Sequence, residues 1–145
     1  MVFIRRKQIK SKFYAYLVEN TWVDGRSKQA VKEYLGRILD VDERPQASLS
    51  SVDPADLLRE LIEYETQFVD AEVDIDNQRV ILNGRDVVLS LNGGHLCSYT
   101  LKQIQQARKK KNEERPGLAL AQALSEAGLR MNKEDFIRLY LHEQL

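Results

Sequence analysis

Asp24-Gly25 lies between two runs rich in Tyr, Phe, Val, Thr and Trp, and no other feature constrains the fold as much. A two-residue type I′ hairpin loop needs positive φ at both central positions, which Asp-Gly tolerates well. Phe13 to Val23 and Arg26 to Leu35 therefore read as antiparallel strands. Phe3 to Lys10 reads as a strand before them, joined through a turn at Lys10-Ser11, and Gly36 is expected to stop the third strand. The short loop also fixes register, with Val23 opposite Arg26, Val18 opposite Val31 and Tyr14 opposite Leu35. One face then carries Trp22, Val18, Val31, Tyr16, Tyr14 and Leu35. The other carries Arg26, Lys28, Lys32, Thr21, Leu17 and Tyr34. An apolar face of this kind is expected to be buried, which makes Trp22 and most of its aromatic neighbours core residues.

Charge is distributed unevenly around this meander. Residues 2–37 hold nine Lys/Arg against three acids, although the chain as a whole balances 22 basic with 22 acidic residues. Residues 38–92 hold four basic and thirteen acidic residues, and residues 93–145 nine basic and six acidic. Such polarity points either to a polyanion partner for the basic segment or to pairing of the segments with one another.

After the meander, residues 38–52 are polar, contain Pro45 and read as a linker. Asp53-Pro54 opens a helix whose stripe runs Leu57, Leu58, Leu61, Ile62, Tyr64, Glu65 and Phe68. Residues 71–91 form a second set of short strands, with turns at Asp76-Asn77 and Asn83-Gly84 and a closing strand from Val87 to Leu91. Asp70, Glu72, Asp74 and Asp76 line one face of their strand, either solvated or in contact with the basic sheet. Asn92 to His95 reads as a strand-to-helix turn, Ser98 as the N-cap of a helix to about Lys111, and Asn112 to Gly117 as a loop. A short helix from Leu118 to Ala127 ends at Gly128, and Asn132 caps a last helix. The fold class is α+β: a three-stranded antiparallel meander, a helix, a second short meander, then two or three C-terminal helices. The segments divide into a basic module (1–37), the linker (38–52) and an α+β body (53–145), or form one compact domain.

Reaction chemistry finds little support. Asn92-Gly93-Gly94 stands where a phosphate loop would, but GxxxxGK[ST] and GxGxxG are both missing. His95, Cys97 and His142 do not make a four-ligand zinc pattern, so no metal and no cofactor is expected. No serine or cysteine is placed beside a histidine and carboxylate by its spacing, and an enzyme is not expected. The lone Cys97 cannot form an internal disulfide, which suits a reducing, cytoplasmic setting. No apolar run approaches the roughly 18 residues of a membrane span, so no membrane partner is expected.

Residues 13–36, with Tyr14, Tyr16, Leu17, Val18, Glu19, Gly25, Arg26, Gln29, Tyr34, Leu35 and Gly36 at matching positions, resemble the N-terminal segment of insertion-sequence transposases of the DDE class. The catalytic domain of those proteins has no counterpart, so the resemblance implies a DNA contact and not transposition. Taken whole, with Leu89-x-x-Asn92-x-Gly94-x-Leu96-Cys97-x-x-Thr100-Leu101, the chain is similar to a group of small uncharacterised archaeal proteins, and that likeness implies an intracellular protein.

The resulting expectation is a non-catalytic nucleic-acid-binding protein that holds phosphates through Arg5, Arg6, Lys7, Lys10, Lys12, Arg26, Lys28 and Lys32, with DNA ahead of RNA. The alternative is a homo-oligomeric interaction module, such as a homodimer, whose basic sheet meets the acidic segment 40–76. The run Arg108 to Lys111 either extends the basic footprint or simply closes its helix.

Overall fold

The computed structural model describes residues 1–111 and 114–145; Asn112 and Glu113, at the start of the loop expected before the third helix, lie outside them. Among these residues the chain is a mixed α+β fold with seven strands and four helices. The strands are β1 (Val2–Ile9), β2 (Lys12–Val23), β3 (Arg26–Asp40), β4 (Glu72–Asp74), β5 (Arg79–Leu82), β6 (Arg85–Leu91) and β7 (Gly94–Leu96). The helices are α1 (Leu57–Thr66), entered through a 3-10 turn at Pro54–Asp56, then α2 (Ser98–Lys109), α3 (Leu118–Glu126) and α4 (Lys133–Glu143). None of the described helices is long and apolar enough to cross a membrane.

All seven strands join one sheet in the order β1-β2-β3-β6-β5-β4, with β7 also paired to β6. The hairpin pairs are antiparallel, whereas β3 lies parallel to β6 through Arg37–Asp40 and Val87–Ser90. Parallel neighbours need a long crossover, and α1 with β4 and β5 supplies it. The main core gathers Leu57, Leu61 and Ile62 of α1, Leu89 and Leu91 of β6, Leu96, Ile104 of α2, Leu124 of α3 and Leu139 of α4. A smaller cluster on the opposite side of the sheet holds Ala15, Leu17, Leu35, Ile38, Val88 and Cys97, with Val2, Ile4 and Tyr99 packed against it.

Local chemistry accounts for the ends of several elements. Asp24-Gly25 and Asn83-Gly84 both adopt positive φ, as I′ turns require. Asp53 accepts from the Ala55 N–H at 2.9 Å, and Asn132 accepts from the Asp135 N–H at 2.8 Å. Gly128 follows α3 with φ +75°.

Four expectations are corrected. Gly36 does not stop the third strand: β3 runs through it to Asp40, so residues 38–40 are strand and the coil begins at Val41. Asn92-Gly93 is a further hairpin turn, with φ of +49° and +80°, and it leads into β7 before any helix begins. Cys97 and not Ser98 caps α2, its N–H donating to Thr100 Oγ1 at 3.0 Å. Phe68 lies past the end of α1, 80% exposed, beneath the Arg44 guanidinium at 4.7 Å.

Candidate nucleic-acid interface

Strand β1 ends where Val2 pairs with Glu19, so beyond that point β2 and β3 continue as a two-stranded ribbon. Every residue from Thr21 to Tyr34 is exposed. Trp22 is 77% exposed and Val31 66%, which overturns the expectation that the aromatic face of this hairpin is core. The predicted pairs Val23–Arg26 and Val18–Val31 are present, but register shifts at Leu17/Val18 and Ala15/Tyr16 bring Tyr14 opposite Arg37 and not Leu35. An irregularity of this kind changes which residues share a face. Tyr34 therefore stands opposite Tyr16, and Leu35 turns into the smaller core cluster.

Side-by-side pairing follows one face across the strands. Arg5 lies opposite Tyr16, Lys7 opposite Tyr14, and Arg37 opposite both Tyr14 and Val87, two residues along β6 from Arg85. The Tyr16 and Tyr34 rings are 5.2 Å apart and tilted by 49°, and Tyr14 and Tyr34 are 6.4 Å apart at 41°. Lys12, Tyr14, Tyr34, Arg37 and Arg85 line a recess of about 810 Å³, with Asp86 at its wall beside Arg85. Arg5 Nη1 donates to Gln29 Oε1 at 3.0 Å, which fixes one cation at the foot of the ribbon. Burial pushes the Tyr34 phenol above its ordinary range, and the Tyr16 and Tyr14 phenols add to this against the opposing Arg85 charge. The ring stays neutral and keeps its O–H as a donor.

Among the described residues none of these cations is ion-paired with a nearby acid. Glu33 pairs across from Leu17, Asp40 from Ser90, and Asp86 binds Arg79 at 3.1 Å. On the opposite face Arg6 meets Asp40 at 3.6 Å and lies 5.1 Å over the Phe13 ring, while Lys32 meets Glu19 at 3.4 Å. Of the eight cations predicted from sequence, Arg5, Lys7 and Lys12 thus share the tyrosine face. Arg6, Arg26, Lys28 and Lys32 lie on the other, and Lys10 sits in the β1–β2 turn at φ +58°. Arg37 and Arg85, which are not among the eight, lie on the tyrosine face as well, and Tyr34 joins that face and not the one expected. The available signal was Gly36, because an isolated glycine within a strand pattern marks a bulge or a close backbone approach.

The remaining reactive groups do not assemble. Burial pushes the Cys97 thiol up and so keeps it protonated, a poor nucleophile. Burial, then the Arg6 charge, lowers His95, whose Nε2 is buried without a partner. Among the described residues no three His, Cys, Asp or Glu side chains gather as a metal site. Arg108 of the basic run binds Glu143 at 2.7 Å and ties α2 to α4. No protein-family model, no curated protein and no solved structure matches this chain.

Proposed function

We propose that the chain binds nucleic acid, without catalysis, through the open tyrosine face of β1, β2 and β3. One observation carries the reading: Arg5, Lys7, Lys12, Arg37 and Arg85 surround three tyrosines, and none of the five is ion-paired to a carboxylate among the described residues. Cations left unpaired by the protein are available to phosphates, and each phosphate neutralised releases a counterion. The resemblance of residues 13–36 to transposase N-terminal segments makes DNA the first ligand to try. Five phosphate contacts correspond to a slope of log K against log salt of about −3.5 to −4.5, so affinity falls roughly 100- to 500-fold between 50 and 200 mM salt. Fluorescence anisotropy with labelled oligonucleotides measures this. Arg37→Ala and Arg85→Ala should each flatten the slope by about 0.7 to 0.9, and Arg26→Ala should leave it unchanged. A slope near zero, or one that responds only to Arg26, refutes the site.

A second reading rests on the ribbon. Trp22 and Val31, exposed on one face of the ribbon, and Val23 at its tip are apolar side chains available to a protein partner, including a second copy of the chain. Its link to the acidic segment 40–76 within one chain is slight, since Arg6–Asp40 is the one ion pair between them among the described residues. A sizing column run at two salt concentrations tests it, and a monomer at both excludes the homodimer.

A further inference from the structure

We infer, building on the nucleic-acid reading above, that the ligand is single-stranded, with unpaired bases lying over Tyr34 and its neighbouring rings while Lys12, Arg37 and Arg85 hold the phosphates. The rings lie within the array of cations and not beside it: Tyr14 and Tyr34 line the same recess as all three. A duplex keeps its base faces stacked inside and offers a protein its phosphates and groove edges. An aromatic centre gains nothing from such a ligand. Unpaired bases present π-faces, and each one stacked on an aromatic side chain is worth about 5- to 150-fold in affinity.

Geometry favours the unpaired strand in two further ways. Tyr34 is 53% exposed and tilted by 49° and 41° against Tyr16 and Tyr14, so its ring is not stacked face to face on either. The recess, walled by the Asn83-Gly84 turn, has the volume of a small-molecule pocket, room for a splayed base and its sugar. From Lys12 the same register face runs ten residues along β2 to Trp22. That is about 33 Å at the rise of a strand. At the roughly 3.4 Å spacing of phosphates along one stacked strand, it spans at most about ten nucleotides.

The test measures anisotropy of dT20, rU20 and a mixed-sequence 20-base-pair duplex, with heparin as a competitor, all at one salt concentration. The expected result is at least tenfold tighter binding of dT20 or rU20 than of the duplex. Tyr34→Ala should weaken single-strand binding at least fivefold while leaving heparin competition for the remaining binding intact, and Tyr34→Phe should bind as the parent does. Tyr34→Leu, which keeps apolar bulk without the ring, replaces Tyr34→Ala if that variant melts early. Duplex binding as tight as single-strand binding, or no loss on removing the ring, overturns the inference. The nucleic-acid reading survives that result if Arg37→Ala still flattens the salt slope, and both fail if none of the four polyanions binds.

Discussion

Gly36→Ala should damage the fold at the junction of β3 with β6. At φ +135° the position suits glycine, and an added Cβ would stand 2.4 Å from the Asp86 carbonyl oxygen and 3.1 Å from the Val87 Cα. Both atoms belong to the backbone of β6, so no rotamer change relieves the contact. The strand must move, and the pairing of β3 with β6 is the junction joining the first three strands to the rest of the sheet. Backbone strain contributes about 1–3 kcal/mol and overpacking another 1–3 kcal/mol, a loss of about 2–6 kcal/mol. At about 2–4 °C per kcal/mol for a chain near this size, a loss near the middle of that range, about 4 kcal/mol, should lower the midpoint by roughly 8–16 °C. Urea unfolding followed by far-UV circular dichroism measures the loss; Trp22, being exposed, is a poor reporter of the core. Gly25→Ala is the control, because φ is +75° there but nothing lies within 4 Å of the added carbon. It should cost only the backbone contribution, about 1–2 kcal/mol. A Gly36→Ala variant within 1 kcal/mol of the parent would refute the close approach of β3 and β6.

Trp22→Ala should change stability by no more than about 0.5 kcal/mol, as surface substitutions do, and the single tryptophan should be freely quenched by acrylamide. Emission shielded from the quencher would contradict the projecting ribbon. Glu60 accepts from the backbone N–H groups of Ser50 and Ser51 at 2.8 Å each, and these bonds with the Ser51 hydroxyl lower its carboxyl to about 2. Its contribution should be full above about pH 4.5 and disappear as pH falls toward 2. Glu60→Ala should therefore destabilise by about 1 kcal/mol at pH 7, after allowance for solvent screening. In acid-dependent urea melts the gap to the parent should close near pH 2, and a gap independent of pH would assign the effect to packing instead.

What the sequence disclosed was governed by how local the cause was. The turns at Asp24-Gly25 and Asn83-Gly84 and the caps Asp53 and Asn132 depend on a few adjacent residues, and each stands where its chemistry requires. Gly36 was misjudged because its reason is the backbone of Asp86, fifty residues away. The two register shifts exchanged Tyr34 for Leu35, and with that the composition of the tyrosine face. Strand β7 escaped because three residues are too few to show a period, although Asn92-Gly93 carried the same hairpin signal read correctly at Asn83-Gly84. Trp22 shows the limit of alternation: a two-residue period tells which side chains share a face, not whether anything covers it. The basic character of the amino-terminal sheet was legible from composition. Its division into two faces, one of which pairs Arg6 and Lys32 with acids and leaves Arg26 and Lys28 without them, was not, since that depends on where Glu19 and Asp40 come to lie.

The most direct test of the binding face is a nuclear magnetic resonance titration that follows tyrosine ring carbons and arginine Nε–Hε groups while dT20 is added. Signals from Tyr14, Tyr16 and Tyr34 and from Arg5, Arg37 and Arg85 should move together, while those of Arg6, Arg26 and Arg108 stay in place. Shifts confined to Arg6 and Arg26, or to the end of α2 at Arg108, with the tyrosine rings unmoved, would contradict the assignment of the open sheet face as the nucleic-acid surface.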